Sequence, residues 1–227
     1  MAQFHRLRHW FLAGVRPAQP LPVWFPGIGV AGLALFLLLS LAVLSGGTLQ
    51  ADDTVELDLH VHDSATLTTV MQLLTDLGYI PAITAEVVVA DAILLFVGRR
   101  LEALLLTGVM IGEGAWDSIL KFTFRRPRPL LFPHPSIQSF SFPSGHAFAT
   151  LCLVTVILAL VWRHLAVALR IVLLVLAGLL VLGIGISRVY LGVHYPSDVV
   201  GGWLAAVAWL GGVAAWAQRM LPSRRQD

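Results

Sequence analysis

The chain has 227 residues, of which 57% are hydrophobic and only 12% are charged, and its mean hydropathy is +0.82. A single water-soluble core of this size cannot bury so much apolar surface, so the composition excludes a soluble domain and indicates a membrane protein. The net charge of +2 is spread over scattered basic residues without a continuous basic stripe, which argues against a nucleic-acid partner.

Six apolar segments are long enough to be membrane helices, since a bilayer core of about 30 Å is crossed by about 20 helical residues. In chain order they cover residues 26–44, 80–97, 101–120, 146–162, 167–186 and 199–216. We find no internal repeat and no linker long enough to separate domains. The predicted fold is therefore all-α, a polytopic bundle of six transmembrane helices in one domain that covers residues 1–227.

The first segment follows three arginines and lacks a small-residue cleavage site close behind it, so we interpret it as a retained anchor. Between the first and second segments, residues 52–79 are rich in acidic residues. Within this stretch the spacing of Leu67, Val70, Met71 and Leu74 predicts an amphipathic helix that lies along the membrane interface.

The distribution of the cations predicts the orientation. If the N-terminus is cytoplasmic, ten of the fifteen Lys and Arg residues fall on the cytoplasmic side, as the positive-inside rule requires. The five that fall on the other side are Lys121, Arg125, Arg126, Arg128 and Arg188. We therefore expect a multi-pass protein of the cell inner membrane with both termini in the cytoplasm and its active site on the extracytoplasmic side.

The second and third segments contain carboxylates, which are costly in a membrane unless they face a partner or water. Glu113, Asp117 and Lys121 follow one another at intervals of four residues, so they share one stripe of the third helix. We expect Asp117 to support Lys121; the alternative is that these acids satisfy a polar contact inside the bundle.

Three polar motifs lie at the ends of these segments. They are Lys121 to Pro129 after the third segment, Pro143 to His146 before the fourth, and Ser187 to Asp198 between the fifth and sixth. Because an even number of crossings separates these ends, all three motifs should lie on the same side of the membrane. The sequence therefore predicts one site assembled from three distant parts of the chain.

The residue types of these motifs suit a phosphoryl group. Lys121, Arg128 and Arg188 can neutralise its oxygens, with arginine providing a bidentate fork. Ser144 opens a predicted helix whose free amides and positive dipole end favour an anion. Gly145 lets the backbone approach closely.

Two histidines suggest a covalent mechanism. Asp198 lies four residues after His194, with Pro196 suited to a helix start, so its carboxylate can orient one ring nitrogen. The other nitrogen remains free to attack phosphorus and form a phosphohistidine. His146 is placed to protonate the leaving oxygen and then to activate water.

Together the three motifs resemble the signature of the type 2 phosphatidic acid phosphatase family, with every motif position present in order and spacing. The resemblance implies a six-helix bundle. It also implies His194 as nucleophile, Asp198 as its orienting partner, His146 as acid and base, and a phosphate-binding set of Lys121, Arg128, Ser144, Gly145 and Arg188. Soluble vanadium haloperoxidases share the motif arrangement, but six spanning segments argue against that branch.

We therefore expect a lipid phosphatase that needs no cofactor and no metal, because its cations supply the charge that Mg²⁺ supplies elsewhere. An isoprenoid pyrophosphate such as undecaprenyl pyrophosphate, phosphatidylglycerophosphate and phosphatidic acid all fit as substrates. Our preference is an isoprenoid pyrophosphate or a lipid phosphatase of broad specificity. A lipid phosphotransferase with the same site remains open. A transporter is the weaker alternative, because it does not require this three-part phosphate site.

The remaining polar residues have simpler interpretations. Arg125 and Arg126 match no motif position, so we expect them to snorkel or to contact lipid head groups. The lone cysteine, Cys152, is interpreted as a packing residue. We interpret six histidines as solvated surface groups: His5, His9, His60, His62, His134 and His164.

Overall fold

A computed structural model of the chain describes residues 25–132 and 139–220. Regular secondary structure in these two ranges is entirely helical. The helices are α1 (Phe25–Leu44), α2 (Leu49–His60), α3 (Ala65–Leu77), α4 (Ile80–Phe96), α5 (Arg100–Phe124), α6 (Gly145–Val161), α7 (Val167–Tyr190) and α8 (Pro196–Met220), and a single 3₁₀ turn (Trp162–His164) follows α6.

The predicted polytopic bundle is confirmed. Five helices are each long and apolar enough to cross a membrane, namely α1, α5, α6, α7 and α8. The sixth candidate span is the pair α3 and α4, which meets the same test when the two are taken together and is bent by 49° at the break between them. The sequence pattern located α4 but gave no sign of this bend.

Helix α8 lies at the centre of the bundle, between α1 and α6. Small residues allow it to approach both neighbours. A Cβ atom on Gly29 of α1 would lie 2.5 Å from the Cα atom of Gly211, so the two backbones are in direct contact there. Around α8, the buried core includes Phe36, Leu106 and Phe148, and it also includes Cys152, which is confirmed as a packing residue.

The amphipathic helix predicted from Leu67 to Leu74 is present as α3. It packs along the end of α7, where a Cβ atom on Gly183 would lie 3.3 Å from Leu74. The elbow between α3 and α4 approaches α6, because a Cβ atom on Gly78 would lie 3.1 Å from the ring of His146. Helix α3 is therefore part of the bundle and lies against the helices that carry the motifs.

The carboxylates inside the candidate spans have different surroundings. Asp91 of α4 accepts a hydrogen bond from Thr107 of α5, and Asp117 pairs with Lys121 on α5. Glu113 is buried, whereas Glu86 is exposed on α4. Two of the four acids thus have the polar partners that a carboxylate in a membrane requires.

All three motifs lie at one end of the bundle, which we call the motif end. Here α5 and α7 finish and α6 and α8 begin. At the opposite end, which we call the distal end, Arg99 donates a hydrogen bond of 2.9 Å to the carbonyl oxygen of Leu160 and so ties α5 to α6.

Candidate active site

His194 occupies a short turn between α7 and α8. Gly192 has a φ of +66°, a left-handed conformation that favours glycine, and this lets the chain reverse immediately after α7. The amides of Val193 and His194 both donate to the carbonyl oxygen of Arg188, at 3.2 Å each. The turn therefore fixes the backbone of His194, whose side chain is only 2% exposed.

Asp198 faces one nitrogen of the His194 ring. Its Oδ2 atom lies 3.5 Å from Nδ1 of His194 and accepts a hydrogen bond of 2.9 Å from the amide of Tyr195. The separation of 3.5 Å is longer than a good hydrogen bond, so Nδ1 faces the carboxylate without bonding to it here. The other nitrogen, Nε2, lies 3.2 Å from Nη1 of Arg128, among the cations of the site.

The surroundings of His194 favour its neutral form. Burial lowers the pKa of His194 well below its usual range, and the positive charges of Arg188, Arg128 and Lys121 lower it further. A neutral imidazole retains a lone pair on one nitrogen. With Nδ1 facing the carboxylate, Nε2 is the nitrogen available for attack.

Arg128 is held rigidly by backbone and hydroxyl oxygens. Its Nη1 donates to the carbonyl oxygen of Val193 at 2.6 Å, and its Nε and Nη2 donate to the carbonyl oxygen and hydroxyl of Ser139 at 2.9 and 2.8 Å. These contacts place the guanidinium edge beside Nε2 of His194. None of them is an ion pair, so its positive charge remains available to an anion.

Lys121 and Gly145 meet at the beginning of α6. A Cβ atom at Gly145 would lie 3.1 Å from Nζ of Lys121 and from both carboxylate oxygens of Asp117. Glycine therefore allows the ammonium group to reach the N-terminal end of α6. Asp117 forms a hydrogen-bonded ion pair with Lys121, as the spacing of four residues predicted.

Ser144 and His146 contribute polar atoms at the same helix end. Ser144 is the N-cap residue of α6, but its side chain makes no capping bond, and its amide donates to the carbonyl oxygen of Asp198 at 2.9 Å. The Oγ atom of Ser144 and the Nε2 atom of His146 are buried and have no hydrogen-bond partner among the described residues. Both atoms are therefore able to bond a ligand.

Arg188 is fixed by a residue that the sequence did not reveal. Its Nη1 donates a hydrogen bond of 2.6 Å to Oγ1 of Thr75 on α3, and its Nε is buried with no partner among the described residues. Thr75 lies 113 positions earlier, in a helix that we interpreted only as amphipathic. No sequence signal linked it to the motifs.

The expectation that Arg126 snorkels is wrong. The side chain of Arg126 is only 7% exposed and forms ion pairs with Asp198 at 2.6 Å and with Asp52 at 2.8 Å. Snorkelling fails because the chain turns inward after α5 and brings Arg126 between two buried carboxylates. Arg125, by contrast, is exposed, as expected.

The histidines outside the motifs gave a mixed result. His62 and His164 are exposed, as expected for solvated groups. His60 is only half-exposed, because its ring stacks on Phe132 at 3.3 Å and on Tyr190 at 5.7 Å between ring centroids. His5, His9 and His134 lie outside the described residues.

The geometry thus brings together all nine side chains and glycines that the sequence selected, at the ends of α5, α6, α7 and α8. Lys121, Arg128 and Arg188, the unpartnered Oγ of Ser144 and Nε2 of His146, and the buried ring of His194 all lie at this end of the bundle. Such a set can bind a tetrahedral oxyanion and transfer its central atom to nitrogen.

Comparison with known proteins places this chain in a family. The model of the PAP2 superfamily matches residues 102–221, which include every motif. Phosphatidylglycerophosphatase B of Bacillus subtilis is 31% identical over 74% of this chain and 84% of that protein. An undecaprenyl-diphosphatase of Sulfolobus acidocaldarius is 30% identical over 76% of this chain and 82% of that protein.

A solved structure has the same fold. The crystal structure of a transmembrane PAP2-type phosphatidylglycerolphosphate phosphatase from Bacillus subtilis superimposes with a TM-score of 0.79 at 28% identity. The alignment covers 89% of this chain and 100% of that one, so it extends well beyond the segments that carry the motifs.

Proposed function

The chain belongs to the PAP2 superfamily, and from that premise we propose that it is an integral-membrane lipid phosphatase that works through a phosphohistidine on His194. One observation carries the proposal. Lys121, Arg128 and Arg188 lie around His194, whose Nε2 atom is next to a guanidinium and whose Nδ1 atom faces Asp198. This arrangement favours a phosphate at Nε2.

The first half of the reaction forms the covalent intermediate. The lone pair of Nε2 on His194 bonds to phosphorus as the bond from phosphorus to the lipid oxygen breaks. The electron pair of that bond goes to the leaving oxygen, which takes a proton from His146. Asp198 stabilises the positive charge that develops on the His194 ring.

The second half returns the enzyme to its starting state. A water molecule attacks the phosphohistidine and gives a proton to His146, and the electron pair of the nitrogen–phosphorus bond returns to Nε2. Inorganic phosphate is released. In both halves Lys121, Arg128, Arg188, Ser144 and the amides at Gly145 bind the phosphoryl oxygens, whose charge is greatest in the transition state.

For the substrate, we propose a lipid that carries a phosphomonoester or a pyrophosphate, with an isoprenoid pyrophosphate preferred. The relatives' names include a phosphatidylglycerophosphatase and an undecaprenyl-diphosphatase, so both kinds of head group fall within the family. The test is a side-by-side turnover assay of the purified protein on undecaprenyl pyrophosphate, phosphatidylglycerophosphate and phosphatidic acid. Release of phosphate from at least one of them, absent in His194→Ala, is expected.

The same assay decides between hydrolysis and transfer. A hydrolase releases inorganic phosphate with water as the only acceptor. Phosphate that appears only on a second lipid or alcohol would identify a phosphotransferase, and neither product from any of the three lipids would contradict the enzyme proposal.

We further propose that turnover needs no divalent metal, because three side-chain cations supply positive charge to the phosphoryl group. Among the described residues, no group of three or more His, Cys, Asp and Glu side chains is placed to hold a metal ion. Turnover is therefore expected to continue in EDTA and to be inhibited by vanadate, which adopts the geometry of the transition state. Loss of activity in EDTA that Mg²⁺ restores would contradict this proposal.

We propose that the chain forms one domain over residues 1–227. We also propose that the motif end faces the extracytoplasmic side of the inner membrane. Support comes from the distal end, where Arg99 and Arg163 lie as the positive-inside rule favours. Because the native Cys152 is buried, single cysteines introduced at Asp58 and Arg163 can be compared in intact cells. A membrane-impermeant maleimide is expected to label Asp58→Cys and not Arg163→Cys; the reverse would overturn the orientation.

A further inference from the structure

A buried charge network lies behind the catalytic pair. Arg126 uses both ends of its guanidinium fork: Nη1 donates to Asp198 at 2.6 Å and to the hydroxyl of Ser197 at 2.7 Å, and Nη2 donates to Asp52 at 2.8 Å. Asp52 also accepts from the amide of Ser197 at 2.9 Å and from its hydroxyl at 2.6 Å. The exposed fractions are 7% for Arg126, 2% for Asp52 and 0% for Asp198.

These contacts determine the direction of the Asp198 carboxylate. Oδ1 is bonded to Arg126, and Oδ2 is bonded to the amide of Tyr195. With both oxygens held, the carboxylate cannot rotate, and Oδ2 is the atom that faces Nδ1 of His194. Arg126 thus determines how the carboxylate is presented to the His194 ring, although it forms no hydrogen bond with the ring itself.

Asp52 balances the charge of this network. A lone arginine bonded to Asp198 would compete with the developing charge on His194 for the same carboxylate, and this competition is strong where water is excluded. A second carboxylate at Asp52 shares the guanidinium and leaves Asp198 with more of its negative charge. Removal of one member of such a buried network leaves the others without compensation.

The location of Asp52 makes this role unexpected. It lies on α2, in a part of the chain that precedes the residues matched by the family model, 102–221. The stacking of Arg126 on the ring of Tyr195, at 4.0 Å from the ring centroid, further fixes the guanidinium between α2 and the turn before α8.

We propose that Asp52 and Arg126 are positioning residues that hold the Asp198 carboxylate against His194, so that α2 forms part of the catalytic apparatus. The inference rests on the proposed function of His194 as nucleophile. Its consequence is specific: weakening the network slows attack on phosphorus, while the phosphate ligands Lys121, Arg128 and Arg188 stay in place.

The test compares Asp52→Asn, Arg126→Gln and Arg126→Lys in the full-length protein. Hydrogen-bond partners that orient metal-bound side chains are typically worth about 10-fold to 100-fold in activity, and we expect a similar range for the partners of Asp198. We expect Asp52→Asn and Arg126→Gln to lower kcat by about that factor, with KM and the vanadate inhibition constant changed by less than about threefold. Arg126→Lys keeps the charge but loses the fork, so it is expected to recover only part of the loss.

Matched controls come from the neighbouring residues. Asp53→Asn and Arg125→Gln change the same charges one position away, where the side chains are half-exposed and exposed, and kcat is expected to stay within about twofold of the wild type. The double variant Asp52→Asn/Arg126→Gln is expected to be little worse than Arg126→Gln alone, since Asp52 acts through Arg126.

Several results would overturn the inference. A kcat in Asp52→Asn equal to that of the wild type would overturn it. So would a loss of kcat in the double variant equal to the product of the losses in the two single variants. A purely structural role would raise KM and the vanadate constant together with the fall in kcat, which would also contradict it.

If Asp52→Asn does not fold, Ser197→Ala decides the question, because it removes only the hydroxyl that contacts both Asp52 and Arg126. A several-fold lower kcat with unchanged vanadate inhibition supports the inference, and an unchanged kcat overturns it. Failure of the proposed function would look different: the wild type would release no phosphate, or His194→Ala would remain active.

Discussion

Arginines occupy both ends of the bundle, but the two ends use them differently. At the motif end, Arg126 and Arg188 are buried and bonded to side chains on distant helices. At the distal end, Arg163 is 42% exposed on its side chain and lies 3.7 Å from Glu102, and Arg99 bonds to a backbone carbonyl and to Glu102.

The difference follows from how far the arginine side chains are exposed to water. An exposed ion pair exchanges one set of hydrogen bonds for another and contributes little to stability, whereas a buried cation without an anionic partner is costly. Arg188 donates to the hydroxyl of Thr75 and has no carboxylate partner among the described residues, so a phosphate can supply the missing negative charge. Buried cations therefore suit the motif end to an anion, whereas the more exposed ion pairs suit the distal end to contact with water.

Loss of the proposed proton donor should have the largest effect. His146→Ala is expected to lower phosphatidic acid hydrolysis by about 10²–10⁴-fold, because an alkoxide leaves poorly without a proton. Cleavage of a lipid pyrophosphate should fall distinctly less, because phosphate is the better leaving group. Parallel kcat measurements on the two substrates check this, and equal losses on both would show that His146 does not act as the acid.

Exchange of matched arginines tests the comparison directly. Arg188→Lys keeps the charge but removes the fork, and we expect kcat/KM to fall by about 10²–10³-fold, as for other groups that stabilise transition-state charge. Arg163→Lys at the distal end should change kcat/KM by less than about twofold. Similar effects at the two ends would refute the distinction between them.

The support of Lys121 by Asp117 should be a smaller effect. In Asp117→Asn the ammonium loses its ion pair on α5 but keeps a hydrogen-bonding neighbour, so we expect kcat/KM to fall by about tenfold. Ser118→Ala, one position further and on an exposed face, is the control. Unchanged KM and kcat in Asp117→Asn would show that the pair is only structural.

The smallest effect is expected at the distal ion pairs. Glu102→Gln removes the partner of Arg99 and Arg163, and the free energy of unfolding should change by less than about 1 kcal/mol with no change in kcat. Denaturation in detergent, followed by a turnover assay, checks both statements. A large fall in kcat would mean that the ion pairs at the distal end affect the active site.

The sequence predicted the helices of membrane length because apolar runs are local patterns, but it did not predict α2. Apolar runs of membrane length mark the spans, and Asp117 and Lys121 are one helical turn apart on α5. His194 also lies four residues before Asp198, but in the turn that precedes α8. That three motifs share one end follows from counting crossings. The bend of 49° between α3 and α4 was not predicted, because the residues between the two helices do not determine the angle between them.

Contacts between residues far apart in the chain could not be predicted from the sequence either. The partners of Arg126 lie 72 and 74 positions away, and that of Arg188 lies 113 positions away. Near the end of an apolar helix, an arginine that snorkels and one that enters a buried network look the same. Asp52 stood among several acids in an acidic stretch, and only the packing of α2 distinguished it from its neighbours.

The most direct test of the account is to trap the phosphoenzyme. The protein is incubated with a lipid pyrophosphate labelled with ³²P at its terminal phosphate, denatured in alkali, in which phosphohistidine is stable, and digested for mass spectrometry. We expect label on His194, with more of it in His146→Ala, where hydrolysis of the intermediate is slowed, and none in His194→Ala. Label on another residue, or turnover of the substrate by His194→Ala, would contradict the central claim.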